Sequence, residues 1–156
     1  MKKYKYIYQS LLLLISLTVF QSCSDNSVQN VEEGELIYSH DGIIEEVGGD
    51  CSAVQVRTRS FGEFDLSDFS KIRFELNGSS DADLSSLSLF YYENDEIIYL
   101  VNLTNRDEIN STRNIEINSP RSSREIFSRV TLKSSVCTGQ VFFLSFRDLK
   151  IFAYRQ

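Results

Sequence analysis

Three tyrosines lie close together in the chain, and a tyrosine ring can stack on a sugar ring. Tyr91, Tyr92 and Tyr99 flank a predicted turn, and Asn94 in that turn offers an amide for hydrogen bonds. The flat apolar face and the polar edge of such residues suit a pyranose ring. The segment therefore predicts a ligand platform. The alternative is that these rings belong to the core, because aromatic residues at strand spacing are more often buried and the chain has no Trp.

An acidic, glycine-containing loop is the best candidate for a metal site. Asp81 and Asp83 follow Asn77 and Gly78 within a few residues. Ca²⁺ takes several oxygen ligands, which closely spaced carboxylates supply. The loop lacks the spacing and the final Glu of an EF-hand, and polar turn residues between strands explain it equally well. Calcium at Asp81 and Asp83 is the one cofactor that the sequence suggests.

Patterns for catalysis are weaker. His40 is the only histidine of the chain, and no G-x-S-x-G motif accompanies it. Glu45 and Glu46 are adjacent in a predicted strand, so their side chains point to opposite faces and do not act together on one glycosidic bond. One histidine and few cysteines also leave zinc and iron sites without ligands. We therefore expect a protein that is not an enzyme.

The first 22 residues have the order of a secretory signal. A basic start at residues 2–5 precedes an apolar run that ends at Phe20, and the small residue Ser22 stands directly before Cys23. The apolar run is about 14 residues long, which is shorter than the ~20 residues that cross a bilayer. We expect cleavage before Cys23 rather than a transmembrane anchor.

The segment Phe20-Gln21-Ser22-Cys23 resembles the lipobox of bacterial lipoproteins, and the polar residues after it resemble Bacteroidetes-type members. The resemblance implies a lipid on Cys23 and attachment to the cell envelope. Ser24 favours the outer membrane, with a periplasmic or surface-facing position. Residues 23–33 then form the lipidated N-terminus and a flexible tether, since they are too polar to bury much surface. The alternative is an ordinary cleaved signal with an incidental cysteine.

Two further cysteines remain for the folded part of the chain, Cys51 and Cys137. In an oxidising envelope, two cysteines far apart in sequence are expected to form one disulfide. A loop of this length gives such a bridge a stabilising effect of about 4 kcal/mol in the loop-entropy model. A reactive thiol or a metal pair has no C-x-x-C spacing to support it.

The charge of the chain excludes one class of partner. The formal net charge is −6, and it becomes more negative when the signal is removed, because the signal contains three lysines. An acidic protein repels phosphate backbones and anionic headgroups. We expect no nucleic-acid partner, and we expect membrane contact through the N-terminal lipid alone.

Residues 34–156 show the two-residue period of strands that bury one face. His40, Asp41 and Gly42 form a predicted hairpin turn, and residues 65–69 a predicted helical turn. The run at 141–146 is apolar on both faces, which predicts a central strand. Ten strands are predicted, at 36–38, 43–47, 52–58, 71–76, 86–92, 97–103, 114–118, 126–132, 141–146 and 149–154.

Short strands at this spacing predict a single all-β domain, an antiparallel β-sandwich. A jelly roll fits best, because a Cys51–Cys137 bridge brings early and late strands together. Residues 64–76 and 141–153 also resemble segments of galactose-binding-like jelly rolls and carbohydrate-binding modules, which implies the fold and not the ligand. An immunoglobulin-like sandwich and a lipocalin-like barrel are the alternatives.

These observations favour a membrane-anchored, non-catalytic lipoprotein whose β-sandwich binds a ligand, with a glycan as the leading candidate. The first alternative is a structural or assembly lipoprotein that binds an envelope protein, and the second is an uncharacterised enzyme. A concave face with exposed tyrosines would favour sugar, whereas a large apolar patch on an outer sheet face would favour a protein partner.

Overall fold

Eight antiparallel strands and one short helix make up the part of the chain that the structure describes. This structure is a computed structural model that describes residues 34–137 and 139–155. The predicted signal peptide, Cys23 and the tether lie outside these residues. The elements are β1 (Glu35–Gly49), β2 (Gln55–Asp65), β3 (Phe69–Ser80), β4 (Ser86–Glu93), β5 (Glu96–Leu103), α1 (Arg106–Ile109), β6 (Thr112–Asn118), β7 (Ser123–Leu132) and β8 (Phe142–Arg155).

The strands form two four-stranded sheets. Sheet I has the order β1-β8-β3-β6, and sheet II has the order β2-β7-β4-β5. This interleaved order is that of a jelly roll, so the predicted all-β sandwich is confirmed. An immunoglobulin-like sandwich would place the first two strands side by side in one sheet, and a lipocalin-like barrel would close a single sheet. Neither arrangement is present among the described strands.

The core lies between the inner faces of the two sheets. In β3, Ile72, Phe74 and Leu76 are wholly buried, whereas Arg73 and Glu75 on the other face are partly exposed. This alternation confirms the two-residue period read from the sequence. The largest fully buried side chains are Phe74, Phe90, Phe146, Leu66, Ile72, Leu76, Leu87, Leu89, Ile109, Ile126, Leu144 and Leu149.

The prediction of ten strands is wrong because two pairs of predicted strands are each one long strand. The pairing of β1 with β8 shifts register between His40 and Ile43, so Asp41 and Gly42 form a bulge and not the predicted hairpin turn. Asp148 lies opposite this bulge, with a positive φ of 48°. The Gly42 N–H donates to the Asp148 carboxylate at 2.6 Å, which ties the two irregularities together. A bulge interrupts the apolar alternation without reversing the chain, and so looks like a turn in sequence.

The local structure around two loops also differs from the sequence prediction. Residues 66–69 form a single hydrogen-bonded turn that does not continue into a helix, with the Phe69 N–H donating to the Leu66 carbonyl at 3.3 Å, and the Asp65 side chain accepts from the N–H and hydroxyl of Ser67 at its start. The helix α1 begins instead after Asn105, whose side chain caps the Glu108 N–H at 2.9 Å. Glu108 accepts from the Thr104 N–H at 2.7 Å in return. Within the described residues, no helix has the length and apolar character needed to cross a membrane.

The predicted disulfide is confirmed. Cys51 and Cys137 are bonded, with their Cα atoms 5.3 Å apart and a sequence separation of 86. The bridge joins the loop after β1 to the segment that leads into β8. Since β1 and β8 are antiparallel neighbours in sheet I, the bond fastens the end of β1 to the start of β8.

Candidate functional site

A groove of about 510 Å³ lies on the outer face of sheet I, near the end that the disulfide closes. Three strands of the sheet and the loops after β3 and α1 contribute to it, and seven of its eight lining residues are of polar type. We call this feature the groove. Its lining residues are Glu46, Ser79, Ser80, Asp81, Asn110, Phe143, Ser145 and Arg147.

Phe143 is the aromatic residue of the groove. Its side chain is 52% exposed although it stands in a central strand. The ring lies against Gly48, its register partner in β1, so closely that a Cβ on Gly48 would be 3.0 Å from a ring carbon. The absence of a side chain at Gly48 therefore lets the ring rest on the neighbouring strand, where Phe143 stays about half exposed and contributes to the lining of the groove. Phe143 is an aromatic platform of the kind that stacks on a sugar ring.

The backbone of Phe143 is held from the loop that follows β3. The Asp81 carboxylate accepts from the Phe143 N–H at 2.7 Å, and the Asp81 N–H donates to the Phe143 carbonyl at 3.2 Å. The Ser80 hydroxyl donates to the same carbonyl at 3.2 Å. Three hydrogen bonds thus fix the start of β8 relative to β3, and with it the position of the ring.

Asn110 extends this network from the other side. Its amide accepts from the Ser80 N–H and donates to the Ser80 carbonyl at 2.8 Å, which imitates the pairing of a further strand. The Ser80 hydroxyl also lies 2.9 Å from the Ser85 hydroxyl. The helix α1 brings Asn110 to this place, because Asn110 closes the helix through its own N–H to the Arg106 carbonyl. The groove therefore has a preformed polar wall.

Glu46 and Arg147 supply the exposed charges of the groove. They stand on the adjacent strands β1 and β8, and both side chains are exposed. Neither takes part in an ion pair with another described residue. Arg147 interacts electrostatically with the neighbouring Asp148, but both charged side chains are exposed and can hydrogen-bond to a ligand that carries hydroxyl groups.

A second, smaller hollow of about 240 Å³ lies on the same face. We call it the depression. At its floor, Asp148 accepts from the Gly42 N–H at 2.6 Å and from the Asn77 amide at 3.1 Å. These donors, the Gly42 N–H first, hold the pKa of Asp148 below its usual range. Its lining residues are Asp41, Glu75, Leu76, Asn77, Thr112, Asp148 and Lys150.

The two aspartates predicted to bind calcium have protein partners. Asp81 holds the Phe143 N–H, and Asp83 accepts from the N–H of Ser135 at 2.9 Å and from its hydroxyl. The Ser135 hydroxyl and N–H lower the pKa of Asp83. Asp81 thus fastens the loop after β3 to the start of β8, and Asp83 fastens it to the segment that contains Cys137. In the described ranges no group of three or more His, Cys, Asp or Glu side chains is placed to hold a metal ion. Calcium binding stays a prediction.

The predicted tyrosine platform is divided between two faces of sheet II. Tyr92 and Tyr99 lie on the outer face and are 46% and 50% exposed. Tyr91 points the other way and is only 8% exposed, with the Arg124 guanidinium 5.0 Å from its ring centre. Asn94 is exposed in the β4–β5 turn at a positive φ of 51°. The structure therefore brings Tyr92 and Tyr99 together and separates Tyr91 from them.

Phe90 is the centre of the aromatic cluster to which Tyr92 and Tyr99 belong. Its wholly buried ring stacks on Phe127, with centroids 5.6 Å apart, and the Arg129 guanidinium lies 4.9 Å from its centre. Tyr92 meets Phe90 edge-on at 5.5 Å, and Tyr99 lies at 6.2 Å. We call these five residues the tyrosine patch. The patch lies on a sheet face opposite to the groove.

Apart from Asp81, which was named as a calcium ligand, sequence reasoning missed the residues that form the groove. Phe143 lies in a run that is apolar on both faces, where an outward ring looks like a core ring. Glu46, Asn110 and Arg147 come from three distant parts of the chain, and only the jelly-roll order of sheet I brings them together. A glycine at position 48 opposite Phe143 is a usable signal only after the register of β1 and β8 is known.

The fold and the groove define a jelly-roll domain with a concave polar site on one sheet. No protein-family model and no curated protein matches the chain. Among solved structures, the C-terminal CBM6 of LamC, a marine laminarinase from Zobellia galactanivorans, is similar over 77% of this chain and 95% of that chain. The TM-score is 0.42 and the sequence identity 14%. The jelly-roll assignment therefore rests on the strand order and not on this similarity.

Proposed function

We propose that this domain binds a glycan in the groove, with Phe143 as the stacking platform. The observation that carries the proposal is a half-exposed aromatic ring resting on Gly48 at the edge of a polar hollow. Binding sites for small molecules combine an apolar surface with a few placed polar groups. A sugar ring has the matching character, since its faces are apolar and its rim carries hydroxyl groups.

The polar groups of the groove fit this ligand class. Hydroxyls of a sugar both donate and accept, and the lining offers serine hydroxyls, an amide, carboxylates and a guanidinium. The Asn110–Ser80–Asp81 network already holds the wall in place, so little order has to be gained when a ligand binds. Preorganisation of this kind favours affinity in a site with only one exposed ring.

The proposal includes the lipid anchor at Cys23 in the outer membrane, with residues 24–33 as the tether. Replacement of Cys23 by Ser should release the protein from membranes, and membrane retention of Cys23→Ser would contradict the anchor.

Binding of the full-length chain to a panel of soluble glycans tests the central proposal. The best ligand should lose about tenfold or more in affinity with Phe143→Ala, which corresponds to about 1.4 kcal/mol. The matched control is Tyr99→Ala, which removes an equally exposed ring on the opposite face. Equal affinity of wild type and Phe143→Ala, or loss of binding in Tyr99→Ala alone, would contradict a site in the groove.

We further propose that the groove binds without cleaving its ligand. Glu46 and Asp81 both line it, so two carboxylates share one hollow as in glycosidases. Asp81, however, is engaged in holding the Phe143 N–H, which gives it a structural role. Incubation with the bound glycan should release no reducing ends. Release that disappears in Glu46→Gln would instead establish a hydrolase.

An envelope protein as the partner is the second candidate, and the tyrosine patch is the observation that favours it. Tyr, Phe and Arg are the residues enriched at the centres of protein interfaces. Here Tyr92, Tyr99, Phe127 and Arg129 surround one buried ring. A protein that cross-links to the wild type and is lost in Tyr92→Ala/Tyr99→Ala, but kept in Phe143→Ala, would establish this function.

A further inference from the structure

The groove and the depression meet in the middle of sheet I. Arg147 lines the groove, Asn77 lines the depression, and the two residues are register partners on β8 and β3. Partners in an antiparallel pair have Cα atoms about 4.5–5.5 Å apart. The two hollows therefore adjoin and follow the same two strands. We call the combined surface the track.

The track is long compared with one sugar ring. It runs from Phe143 to Lys150 along β8, a distance of about 23 Å at the rise of a strand. Its width is bounded by β1 on one side, which contributes Glu46 and Asp41, and by β6 on the other, which contributes Thr112. A ligand that fills it must be extended and must follow the strand direction.

The track also has a charge preference. Its lining includes five carboxylates and the two cations Arg147 and Lys150. Glu75 is paired with Arg73 at 3.1 Å, and Asp148 is ionised and fixed by two donors. Even with Glu75 neutralised by its partner, acidic groups outnumber basic ones. An approaching carboxylate or sulfate group would meet net repulsion.

We propose, on the basis of the glycan-binding function above, that the track holds an internal stretch of a linear glycan that carries no acidic groups. Phe143 stacks on one sugar at the end of the groove, and the chain continues past the Arg147–Asn77 pair into the depression. The ligand is bound along its length, because the two hollows follow β3 and β8. The neutral character of the ligand follows from the excess of carboxylates.

A length series of the best neutral glycan tests the track. Affinity of the full-length chain should rise about tenfold or more from the shortest bound oligosaccharide to one that reaches the depression, and then level off. Thr112→Trp fills the depression and should remove the gain from the added length. The matched control is Thr58→Trp, which places the same side chain on the exposed outer face of sheet II and should keep the gain.

An acidic oligosaccharide of the same length tests the preference of the track for neutral glycans. An oligo-uronate should bind several-fold more weakly than the neutral chain at low salt, and the difference should shrink as salt screens the carboxylates. Asp41→Asn/Glu46→Gln should narrow the same difference. Equal or tighter binding of the uronate would overturn the proposed track. So would an affinity that does not depend on glycan length and does not change in Thr112→Trp. Neither result would contradict glycan binding in the groove. Failure of every glycan at every length would overturn the glycan function itself.

Discussion

The outer faces of the two sheets use aromatic residues in opposite ways. On sheet II, Phe90 is wholly buried within the tyrosine patch, and its neighbours cover it. On sheet I, Phe143 stands almost alone, with a backbone glycine beneath it and a polar hollow beside it. The first arrangement stabilises the sheet through ring–ring contacts, and the second leaves a ring free for a ligand.

This contrast shows why counting exposed aromatic residues is a poor guide to a binding site. Tyr92, Tyr99 and Phe143 have nearly equal exposure. They differ in what surrounds them, because the tyrosines lean on other rings while Phe143 borders serines, an amide and charged groups. Concavity and polar neighbours, rather than the ring alone, distinguish the groove.

The largest expected effect is on stability and concerns Phe90. Phe90→Ala removes a fully buried ring that stacks on Phe127, and should lower the free energy of unfolding by about 3–5 kcal/mol. Phe143→Ala, at a half-exposed position, should change it by less than about 1 kcal/mol. Urea unfolding of both variants compares the two faces directly. Similar losses of unfolding free energy in both variants would mean that Phe143 is a structural residue, and the two faces would then not differ in how they use aromatic residues.

The next effect concerns the disulfide, which joins the segment after β1 to the segment before β8. Cys51→Ser/Cys137→Ser should cost about 2–4 kcal/mol of unfolding free energy, because the open chain gains loop entropy. The variant should also bind glycan more weakly, since Gly48 and Phe143 lie near the two cysteines in sequence. Urea unfolding measures the loss of stability, and glycan titrations at a temperature where the variant is still folded measure the loss of affinity. Unchanged affinity would show that the groove does not depend on the bridge.

A smaller effect is expected from the glycine beneath the platform. Gly48→Ala places a methyl group about 3.0 Å from the Phe143 ring, which must move outward. Affinity should fall about three- to tenfold with little change in stability. Gly49→Ala is the matched control, because its methyl group would meet Gln55 and Leu132 instead. Equal affinities of the two variants would show that the position of the ring is unimportant.

The smallest effect is a pH dependence that arises at Asp148. Its pKa in the folded state is lowered, chiefly by the Gly42 N–H and then by the Asn77 amide. Asp148 therefore stabilises the fold above the unfolded pKa of about 3.9, and this contribution is lost as the pH falls through the lower folded value. Asp148→Asn, which still tolerates the positive φ, should flatten this part of the stability profile. Urea midpoints between pH 2 and 6 measure it, and identical profiles would contradict the role of Asp148.

The fold was predictable to a large extent because burial imposes a local pattern. Three features of the sequence together indicate a jelly roll: the alternation in β3, the run at the start of β8 that is apolar on both faces, and the pairing of Cys51 with Cys137. The strand count was not predictable. The bulges at Asp41–Gly42 and at Asp148 stabilise each other across two strands, and neither carries a local signal that separates a bulge from a turn.

The candidate site was far less predictable. Local reasoning identified Tyr91, Tyr92 and Tyr99 as one cluster, but the two-residue period of β4 places Tyr91 on the inner face. The groove depends on register between strands that are distant in sequence, as Gly48 and Phe143 show. α1 was also missed, although Asn105 and Glu108 have the spacing of a capping box.

The most direct test of the account is to map the bound glycan on the two faces by backbone amide chemical shifts in NMR titrations. We expect the largest shifts at Ser79, Asp81 and the segment from Phe143 to Arg147, with Tyr92 and Tyr99 nearly unchanged. Largest shifts at Tyr92, Tyr99 and Arg129, with the groove unaffected, would contradict it and assign binding to the tyrosine patch.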